Sequence, residues 1–435
     1  MNSERGLDMI QRDEYVKKLA HKAWNGRIKV VTGIRRCGKS TIVFSLYKQH
    51  LLNSGVPQDS IIEIILDQNR YAELRDPDKM AEYLRSHIES SERKYYVLID
   101  EIQYTISRDE LKNQDQPVRI YSVLNELLRM ENVDVVVTGS NSKLLSKDIS
   151  TEFRGRGDVI NIYPLSFREF YRAKGVDARD AYDDYLMYGG MPYLFQLDSD
   201  EEKADYLSEL FDEIYFKDIE ERYSVSLPGV LRDLTNALCS SVGSLTNASK
   251  LSRTIHTVRQ VSVDSETVDA YISYLTDAFL FSEALRYDVR GKKYFEYPSK
   301  YYCVDTGLRN ARLGFRQFEE THLLENVLYN DLLIRGYSVD VGVIPILEKG
   351  EDQKYHQKNC EIDFIARKGS NVCYIQSAFS MGDEEKQQTE LRPLLAVKDS
   401  FQKIVVSKSY GKRWIDENGV LHISAFDFLT SDDVI

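Results

Sequence analysis

The chain has 435 residues, enough for roughly two to four domains of ordinary size. Its hydrophobic fraction of 42% can fill substantial cores, and its formal net charge of −12 argues against a general attraction to nucleic acid, so that any such contact requires a local basic patch. Five scattered cysteines exclude a disulfide framework, and no apolar run approaches the roughly 20 residues of a membrane helix, so we expect a soluble, cytoplasmic protein with no membrane contact.

Short apolar runs alternate with helical patterns in the first part of the chain, residues 1–172. Continuous apolar runs are typical of buried parallel strands, which need helical crossovers, so we predict an α/β fold with a parallel sheet and helices on both faces. The strands are predicted at 28–32, 61–66, 95–99, 133–138 and 158–162, and helices at 40–52, 77–90 and 119–131.

The sequence GIRRCGKS, residues 33–40, follows the first predicted strand and opens the first predicted helix. It matches the phosphate-loop pattern GxxxxGK[ST] in full. Glycines let the backbone N–H groups face the phosphates of a nucleotide, and the helix N-terminus adds partial positive charge. Lys39 is expected to reach the β- and γ-phosphates of ATP, and Ser40 to ligate Mg²⁺. The nucleotide-binding residues are predicted to be Gly33, Ile34, Arg35, Arg36, Cys37, Gly38, Lys39, Ser40 and Thr41.

Cys37 lies at the start of the predicted helix, where a thiolate is favoured. Oxidation there could switch nucleotide binding; the simpler interpretation is a small residue that the loop accommodates. Arg35 and Arg36 could serve either the nucleotide or a partner.

Two acidic residues, Asp100 and Glu101, follow the apolar run YYVLI. Ligands of parallel sheets gather at the carboxyl ends of the strands, so both carboxylates are expected beside the phosphate loop. Asp100 is expected to hold the Mg²⁺ shell, and Glu101 to act as the general base on the attacking water. A helix-capping acidic pair is the alternative, which the upstream phosphate loop disfavours.

Polar residues follow the next strand, and two arginines precede the last one. Asn141 is expected to contact the attacking water or the γ-phosphate, with capping of a helix that begins near Lys143 as the alternative. Arg154 and Arg156 lie in the turn FRGRG. An arginine supplied by a neighbouring subunit can neutralise transition-state charge.

The middle of the chain has mainly helical spacing. We predict a helical connector at 173–235 and a winged-helix domain at 236–312, since the pattern reads helix, turn, helix and then two strands. Basic residues of this unit are those expected of a local DNA footprint; the alternative is a solvated hairpin tip on a protein-binding module. They are Lys250, Arg253, His256, Arg259, Arg286, Arg290, Lys292 and Lys293.

A second α/β module is predicted at 313–435. The helical pattern THLLENVLYNDLLIRG precedes the strand-like segments YSVDVGVI, EIDFIAR, VCYIQSAF and FQKIVVS. The tail VLHISAFDF is also strand-like.

These motifs together resemble a family of bacterial and archaeal AAA+-type ATPases whose C-terminal domain of unknown function is similar to the PD-(D/E)XK restriction-endonuclease-like fold. The resemblance implies an oligomer, Asn141 as the sensor-1 residue and Arg156 as an arginine finger acting across a subunit interface. It rests on TGIRRCGKST, LIDEIQ, VVTGSNSKLLS with FRGRG, PLSFREF, YGGMP, EIYFKDIEERY, LLENVLYNDLLIRGYSVDVG, EIDFIA and YIQSAFS, in that order.

A PD-(D/E)XK centre needs an acid on its first helix, an aspartate at a strand start and a (D/E)xK pair on the next strand, because the carboxylates gather a metal and the lysine helps activate water. Glu325 fits the first role. Asp363, with Glu361 beside it, fits the second.

The third role fails, since Gln376 stands in place of the acid and Ala378 in place of the lysine. Lys386 on the following helix could supply the lysine. We expect a binding or scaffold module without nuclease activity.

The sequence therefore predicts a Mg²⁺-dependent ATPase of AAA+ type that acts as an oligomeric motor or switch on DNA. One alternative is a nucleotide-gated signalling or assembly ATPase whose C-terminal modules bind protein. Another is an ATP-controlled nuclease, which the missing lysine disfavours.

Overall fold

The computed structural model describes residues 10–107, 109–110, 118–140, 156–349, 355–378, 384–408 and 411–435. The side chains at 213, 295–297, 349 and 384–387 also lie outside that description. The coordinates divide into two units. The first comprises Met1–Tyr163 with Asp277–Phe279, and the second Pro164–Thr276 with Leu280–Ile435.

The first unit contains a five-stranded parallel sheet in the order β2-β3-β4-β1-β5. Every residue of β1 and β3 is buried, which explains why both read as continuous apolar runs. The predicted parallel sheet is therefore confirmed, with bounds that differ from the predicted ones by one residue at most. The strands are β1 (Ile28–Thr32), β2 (Ile61–Ile65), β3 (Tyr95–Asp100), β4 (Val133–Gly139) and β5 (Gly157–Asn161).

Helices lead into this sheet and connect its strands. The helix after the phosphate loop changes from α to π winding at Ile42–Tyr47 and back again. Short 3₁₀ turns lie at Gln58–Ser60, Asn69–Arg75 and Ile102–Thr105. The described α-helices are α1 (Asp13–Lys22), α2 (Lys39–Thr41), α3 (Lys48–Asn53), α4 (Pro77–His87) and α5 (Arg119–Leu128).

The second unit begins with helices, as predicted. Its first helix carries a capping box, in which the Ser166 hydroxyl and the Glu169 carboxylate satisfy each other's backbone N–H groups. Further helical turns lie at Pro192–Gln196 (3₁₀) and Leu210–Phe216 (π). The α-helices are α6 (Phe167–Lys174), α7 (Ala178–Tyr188), α8 (Asp200–Glu209), α9 (Lys217–Tyr223), α10 (Pro228–Ser240), α11 (Ala248–Arg259), α12 (Ser265–Asp277), α13 (Thr306–Arg312), α14 (Glu320–Ile334), α15 (Glu384–Ala396) and α16 (Ala425–Thr430).

The strands of this unit form one eight-stranded sheet in the order β12-β13-β11-β10-β9-β8-β6-β7. The hairpin β6–β7 was predicted as part of a separate domain ending at residue 312, but β6 pairs in parallel with β8, so the sheet extends across that position. The strands are β6 (Phe281–Asp288), β7 (Lys293–Cys303), β8 (Ser338–Lys349), β9 (Tyr355–Lys368), β10 (Asn371–Ala378), β11 (Gln402–Ser407), β12 (Trp414–Ile415) and β13 (Val420–Ser424).

The prediction for the tail is wrong in its second half. Residues 420–424 form β13, but AFDF belongs to helix α16. The Ser424 hydroxyl accepts a hydrogen bond of 3.0 Å from the Asp427 N–H, so a local N-cap overrides the alternating pattern. None of the described helices combines the length and apolar character needed to cross a bilayer.

Candidate functional site

The phosphate loop joins β1 to α2 in a backbone conformation that few side chains tolerate. Gly33, Arg36 and Gly38 have φ angles of +148°, +67° and +98°. A Cβ at Gly33 would lie 2.1 Å from the carbonyl oxygen of Ile162, so this position requires glycine. Tight curvature of this kind turns backbone N–H groups toward one side, as a phosphate cradle requires.

Lys39 lies inside the loop rather than in solvent. Its ammonium donates hydrogen bonds of 3.1 Å to the Gly33 carbonyl and 3.0 Å to the Ile34 carbonyl, and the side chain is buried. The charge is therefore held at the concave side of the loop. Ser40 and Thr41, at the start of the helix, are exposed.

Arg12 supports the loop from the N-terminal side, a contact that the sequence analysis missed. Its guanidinium donates 3.0 Å hydrogen bonds to the carbonyls of Cys37 and Tyr163, and it is buried. Nothing in the spacing of the sequence connects Arg12 to the loop, since the contact spans 25 positions.

Cys37 is fully buried, and its thiol contacts the Ile162 carbonyl at 3.5 Å. Burial raises the pKa of this thiol, which opposes the thiolate that a helix N-terminus favours. The burial of the thiol therefore favours the simpler interpretation, in which Cys37 is a small residue that the loop accommodates.

Asp100 ends β3 at the same edge of the sheet as the phosphate loop. Its carboxylate accepts hydrogen bonds from the Thr138 hydroxyl on β4 and from Ser40. Burial raises the pKa of Asp100, while these two hydrogen bonds act in the opposite direction. The two predicted Mg²⁺ ligands, Ser40 and Asp100, are thus in contact.

Glu101 follows directly, in a left-handed conformation with φ of +52°. Its backbone N–H donates a 3.0 Å hydrogen bond to Thr138 Oγ1, and its carboxylate accepts a hydrogen bond from the Gln103 amide. Gln103 was not singled out from the sequence, although it closes the same DEIQ segment. Its Oε1 is buried and has no hydrogen-bond partner among the described residues.

The other predicted catalytic residues are Asn141 and Arg156, with Arg154 in the same turn as Arg156. Asn141 and Arg154 lie outside the described residues. Arg156 is exposed and precedes β5, where its carbonyl accepts a 3.0 Å hydrogen bond from the Ile28 N–H at the start of β1. The phosphate loop begins at the other end of β1, about 13 Å away at 3.3 Å per residue. Arg156 therefore lies at the opposite edge of the sheet from the phosphate loop of its own chain.

Three basic residues of the predicted winged-helix domain lie at the tip of the β6–β7 hairpin, whereas Arg286 lies within β6. Asp288 Oδ1 accepts hydrogen bonds from the N–H groups of Arg290 (3.0 Å) and Gly291 (2.8 Å), which shapes the turn. Arg290, Lys292 and Lys293 are exposed around it. The cations are therefore presented on one short, ordered turn.

The two helices before the hairpin differ in charge. Helix α11 exposes Lys250, Arg253 and His256, while its Arg259 is paired with Asp233 at 2.8 Å. Helix α12, the second helix of the predicted winged-helix pattern, contains acidic residues but neither lysine nor arginine. Phosphates repel such a helix, so any DNA contact must involve the hairpin and α11 rather than α12.

The acidic residues predicted in the C-terminal module converge on a lysine that the sequence analysis missed. Lys300 Nζ, on β7, lies 2.8 Å from Glu325 Oε1, 2.7 Å from Glu361 Oε1 and 3.6 Å from Asp363 Oδ1. The Tyr302 hydroxyl donates a 2.7 Å hydrogen bond to Glu325. We call Lys300, Glu325, Glu361 and Asp363 the Lys300 centre.

Gln376 lies beside the Lys300 centre, as its place in the motif predicts. Its Nε2 donates a 2.9 Å hydrogen bond to Glu390, and its Oε1 faces the Asp363 N–H at 3.4 Å. Ala378 packs in a hydrophobic core cluster. The side chain of Lys386 lies outside the described part of the chain.

The chain is similar in sequence to known protein domains and to known full-length proteins. The family model described as an AAA domain matches residues 25–171, and a domain of unknown function (DUF8612) matches residues 179–319. An uncharacterized protein of Haemophilus influenzae is 35% identical over 421 residues, with 95% of this chain and 98% of that protein covered. The chain belongs to the same family as this Haemophilus protein.

The residues that the AAA-domain model matches include β1, the phosphate loop and the Asp100–Glu101 pair. The uncharacterized protein MJ1544 of Methanocaldococcus jannaschii is similar as well, with 26% identity over 403 residues, covering 90% of this chain and 82% of that protein.

Solved structures that match include Cdc6p from Pyrobaculum aerophilum, 10% identical, with 75% of this chain and 97% of that chain covered and a TM-score of 0.29. The Aeropyrum pernix ORC1 protein in complex with DNA is 13% identical, with 70% and 93% covered and a TM-score of 0.29. TM-scores this low do not establish a common overall fold.

Proposed function

We propose that this protein is a Mg²⁺-dependent ATPase. The proposal is carried by the arrangement of Lys39, Ser40, Asp100 and Glu101 at one edge of the parallel sheet. This combination unites a buried cation in a phosphate-loop backbone with a hydroxyl–carboxylate pair and a second carboxylate. Phosphoryl transfer requires such positioning and charge stabilisation more than covalent chemistry.

The side chains at this edge fit a nucleotide and a hard cation. Ser40 and Asp100 offer oxygen ligands, the kind that Mg²⁺ prefers. The buried oxygens Thr32 Oγ1 and Gln103 Oε1 lack protein partners among the described residues. Mg²⁺ would neutralise charge on the phosphates, and Glu101 would accept a proton from the attacking water.

Glu101→Gln tests the proposal. The variant keeps the shape and hydrogen-bonding capacity of residue 101 but cannot act as a base, so we expect retained ATP binding and a loss of hydrolysis of at least about 100-fold. The matched control is Glu131→Gln at an exposed position, which should behave as wild type. Wild-type turnover in Glu101→Gln would refute the assignment of the base.

We further propose that the protein works as an oligomer in which Arg156 of one subunit serves the phosphates bound by the next. The support is that Arg156 is exposed and lies far from its own phosphate loop. This role can be tested by mixing two variants in one oligomer. Arg156→Ala and Lys39→Ala should each be inactive, and hydrolysis should return when the two are combined, because the mixed interface unites an intact loop with an intact arginine. No recovery on mixing would contradict a role across the interface.

We propose that the protein acts on DNA through the tip of the β6–β7 hairpin, because Arg290, Lys292 and Lys293 form an exposed basic turn on an acidic protein. Charge reversal of all three should abolish stimulation of ATPase activity by DNA, and should reduce the salt dependence of binding by about three phosphate contacts. Reversal of Lys17, Lys79 and Arg85, which are exposed on the first unit, is the control.

The acidic helix α12 favours the second candidate function, a signalling or assembly ATPase whose C-terminal modules bind protein. If no nucleic acid tested changes the rate of ATP hydrolysis while the protein remains an active ATPase, this second function is favoured over action on DNA.

A further inference from the structure

Lys300 occupies the middle of a group of three carboxylates. An ammonium has three N–H donors, and this one faces Glu325, Glu361 and Asp363 at 2.8, 2.7 and 3.6 Å. Several carboxylate oxygens that converge on one point are the usual surroundings of a hard divalent ion in proteins. Here the converging point is the position of a lysine nitrogen.

The carboxylates are fixed from their outer sides as well. The Tyr302 hydroxyl donates to Glu325 at 2.7 Å, and the Ser377 N–H donates to Asp363 Oδ2 at 2.8 Å. A Cβ at Gly243 would lie 2.9 Å from Glu325 Oε2, so main chain closes over that residue. Glu361, with 34% of its side chain exposed, gives the centre its main contact with solvent, since the side chains of Glu325 and Asp363 are 10% and 11% exposed. The centre is therefore a preformed, nearly closed site.

Lys300 supplies the positive charge that faces these three carboxylates. Burial alone lowers the pKa of Lys300, but Glu325, Asp363 and Glu361 outweigh it and raise the pKa above its ordinary value, so the ammonium stays charged. Burial, together with Glu325, raises the pKa of Asp363 to about 8. Removal of the ammonium would leave carboxylates buried with no cation between them, which is strongly unfavourable.

We propose that the Lys300 ammonium is a built-in replacement for a metal ion, so that the native centre is closed to divalent cations and removal of the ammonium creates a divalent-cation site from Glu325, Glu361 and Asp363. In the described part of the chain, no group of three or more His, Cys, Asp or Glu side chains could hold a metal ion as the side chains stand, these three carboxylates included, which agrees with a native centre that takes no divalent cation. This inference goes beyond the ATPase and does not depend on it. It also explains why the acidic residues of a nuclease-like motif can occur together with Gln376 and Ala378: a centre without metal needs neither the third acid nor the lysine of the motif.

The test is Mn²⁺ titration of full-length, nucleotide-free protein, in a Lys39→Ala, Asp100→Asn background that removes the phosphate-loop residues. Lys300→Met retains much of the aliphatic stem and removes the charge. We expect Mn²⁺ to raise the folded-to-unfolded ratio of this variant about 100-fold when free Mn²⁺ is 100 times its dissociation constant. Adding Asp363→Asn to Lys300→Met should abolish the effect. Lys300→Arg, which keeps a cation, should show none.

Two results would overturn the proposal. One is stoichiometric Mn²⁺ binding by protein with Lys300 intact that disappears on Asp363→Asn, since the native centre would then take metal. The other is a folded Lys300→Met protein that Mn²⁺ neither binds nor stabilises. If Lys300→Met does not fold, Mn²⁺ binding by the protein with Lys300 intact still tests the proposal. Equal binding with and without Asp363→Asn would support a closed centre.

Discussion

The guanidinium of Arg12 donates a 3.0 Å hydrogen bond to the carbonyl oxygen of Cys37, inside the phosphate loop. A second 3.0 Å hydrogen bond joins Arg12 to the carbonyl of Tyr163, two residues beyond the end of β5. The arginine therefore ties the loop to a neighbouring part of the AAA domain. A loop fixed in this way loses less conformational freedom when it binds phosphates.

Arg12→Ala should therefore weaken ATP binding about 10- to 100-fold, because a buried hydrogen bond from a charged donor contributes about 1.5–3 kcal/mol. Calorimetric titration with a non-hydrolysable ATP analogue measures this. Lys17→Ala is the matched control, because Lys17 makes an exposed ion pair with Glu14 on the same helix and should change nothing. Unchanged affinity in Arg12→Ala would show that the loop keeps its shape without the arginine.

The hydrogen bond from Gln103 to the Glu101 carboxylate predicts a role in positioning the base. Gln103→Ala leaves the carboxylate free to rotate, so we expect kcat to fall about 10-fold, with KM for ATP nearly unchanged. Gln49→Ala, an exposed glutamine that bonds Asn53, is the control for loss of a side-chain amide. A rise in KM with constant kcat would instead indicate that Gln103 binds nucleotide directly.

Gly307 predicts a steric limit in the second unit. A Cβ at this position of α13 would lie 1.9 Å from the Tyr188 carbonyl oxygen, which belongs to α7. Gly307→Ala must therefore displace backbone and should cost about 1–3 kcal/mol in the free energy of unfolding. Gly229, in α10, has nothing within 4 Å of such a Cβ, so Gly229→Ala should stabilise by about 0.5 kcal/mol. The urea midpoint of unfolding of each variant measures these changes in stability. Equal shifts of the two midpoints relative to wild type would contradict the steric argument.

The five-stranded sheet was predictable mainly because its central strands β1, β3 and β4 are buried on both faces. Continuous apolar runs reveal such strands directly, and β1 has the predicted bounds of 28–32. Strand–loop–helix order then fixes where Lys39, Ser40 and Asp100 meet, since parallel strands bring their carboxyl ends to one edge.

Contacts of single polar and charged side chains were not predictable in this way. Arg12, Gln103 and Lys300 each act through packing that no periodicity encodes. Lys300 stands on a strand that the sequence assigns to a different module from Glu325, and the pairing of β6 with β8 joins the strands of these two modules in one sheet. Helix α16 was predicted as strand because the apolar pattern alternates there, whereas the Ser424 side chain caps a helix by accepting a hydrogen bond from the Asp427 N–H.

Asp305 gives a pH-dependent prediction. It caps α13 and accepts hydrogen bonds from the N–H groups of Gly190 at 2.7 Å and Leu308 at 3.0 Å. Burial nevertheless raises its pKa from 3.8 to about 6. Between these values the folded state binds more protons than the unfolded state. This residue's contribution to stability is therefore full below pH 3.8 and is lost as the pH rises through about 6.

Asp305→Asn should be less stable than wild type by an amount that depends on pH, because its amide cannot titrate and would direct a donor at the Gly190 N–H. The stability advantage of wild type should shrink by about 3 kcal/mol as the pH rises through this window, at 1.36 kcal/mol per pKa unit. Denaturant unfolding of both proteins across the window measures the difference. Asp264→Asn is the control of opposite sign, since backbone hydrogen bonds lower the pKa of that exposed carboxyl. A constant difference between wild type and Asp305→Asn would mean that Asp305 stays ionised when buried.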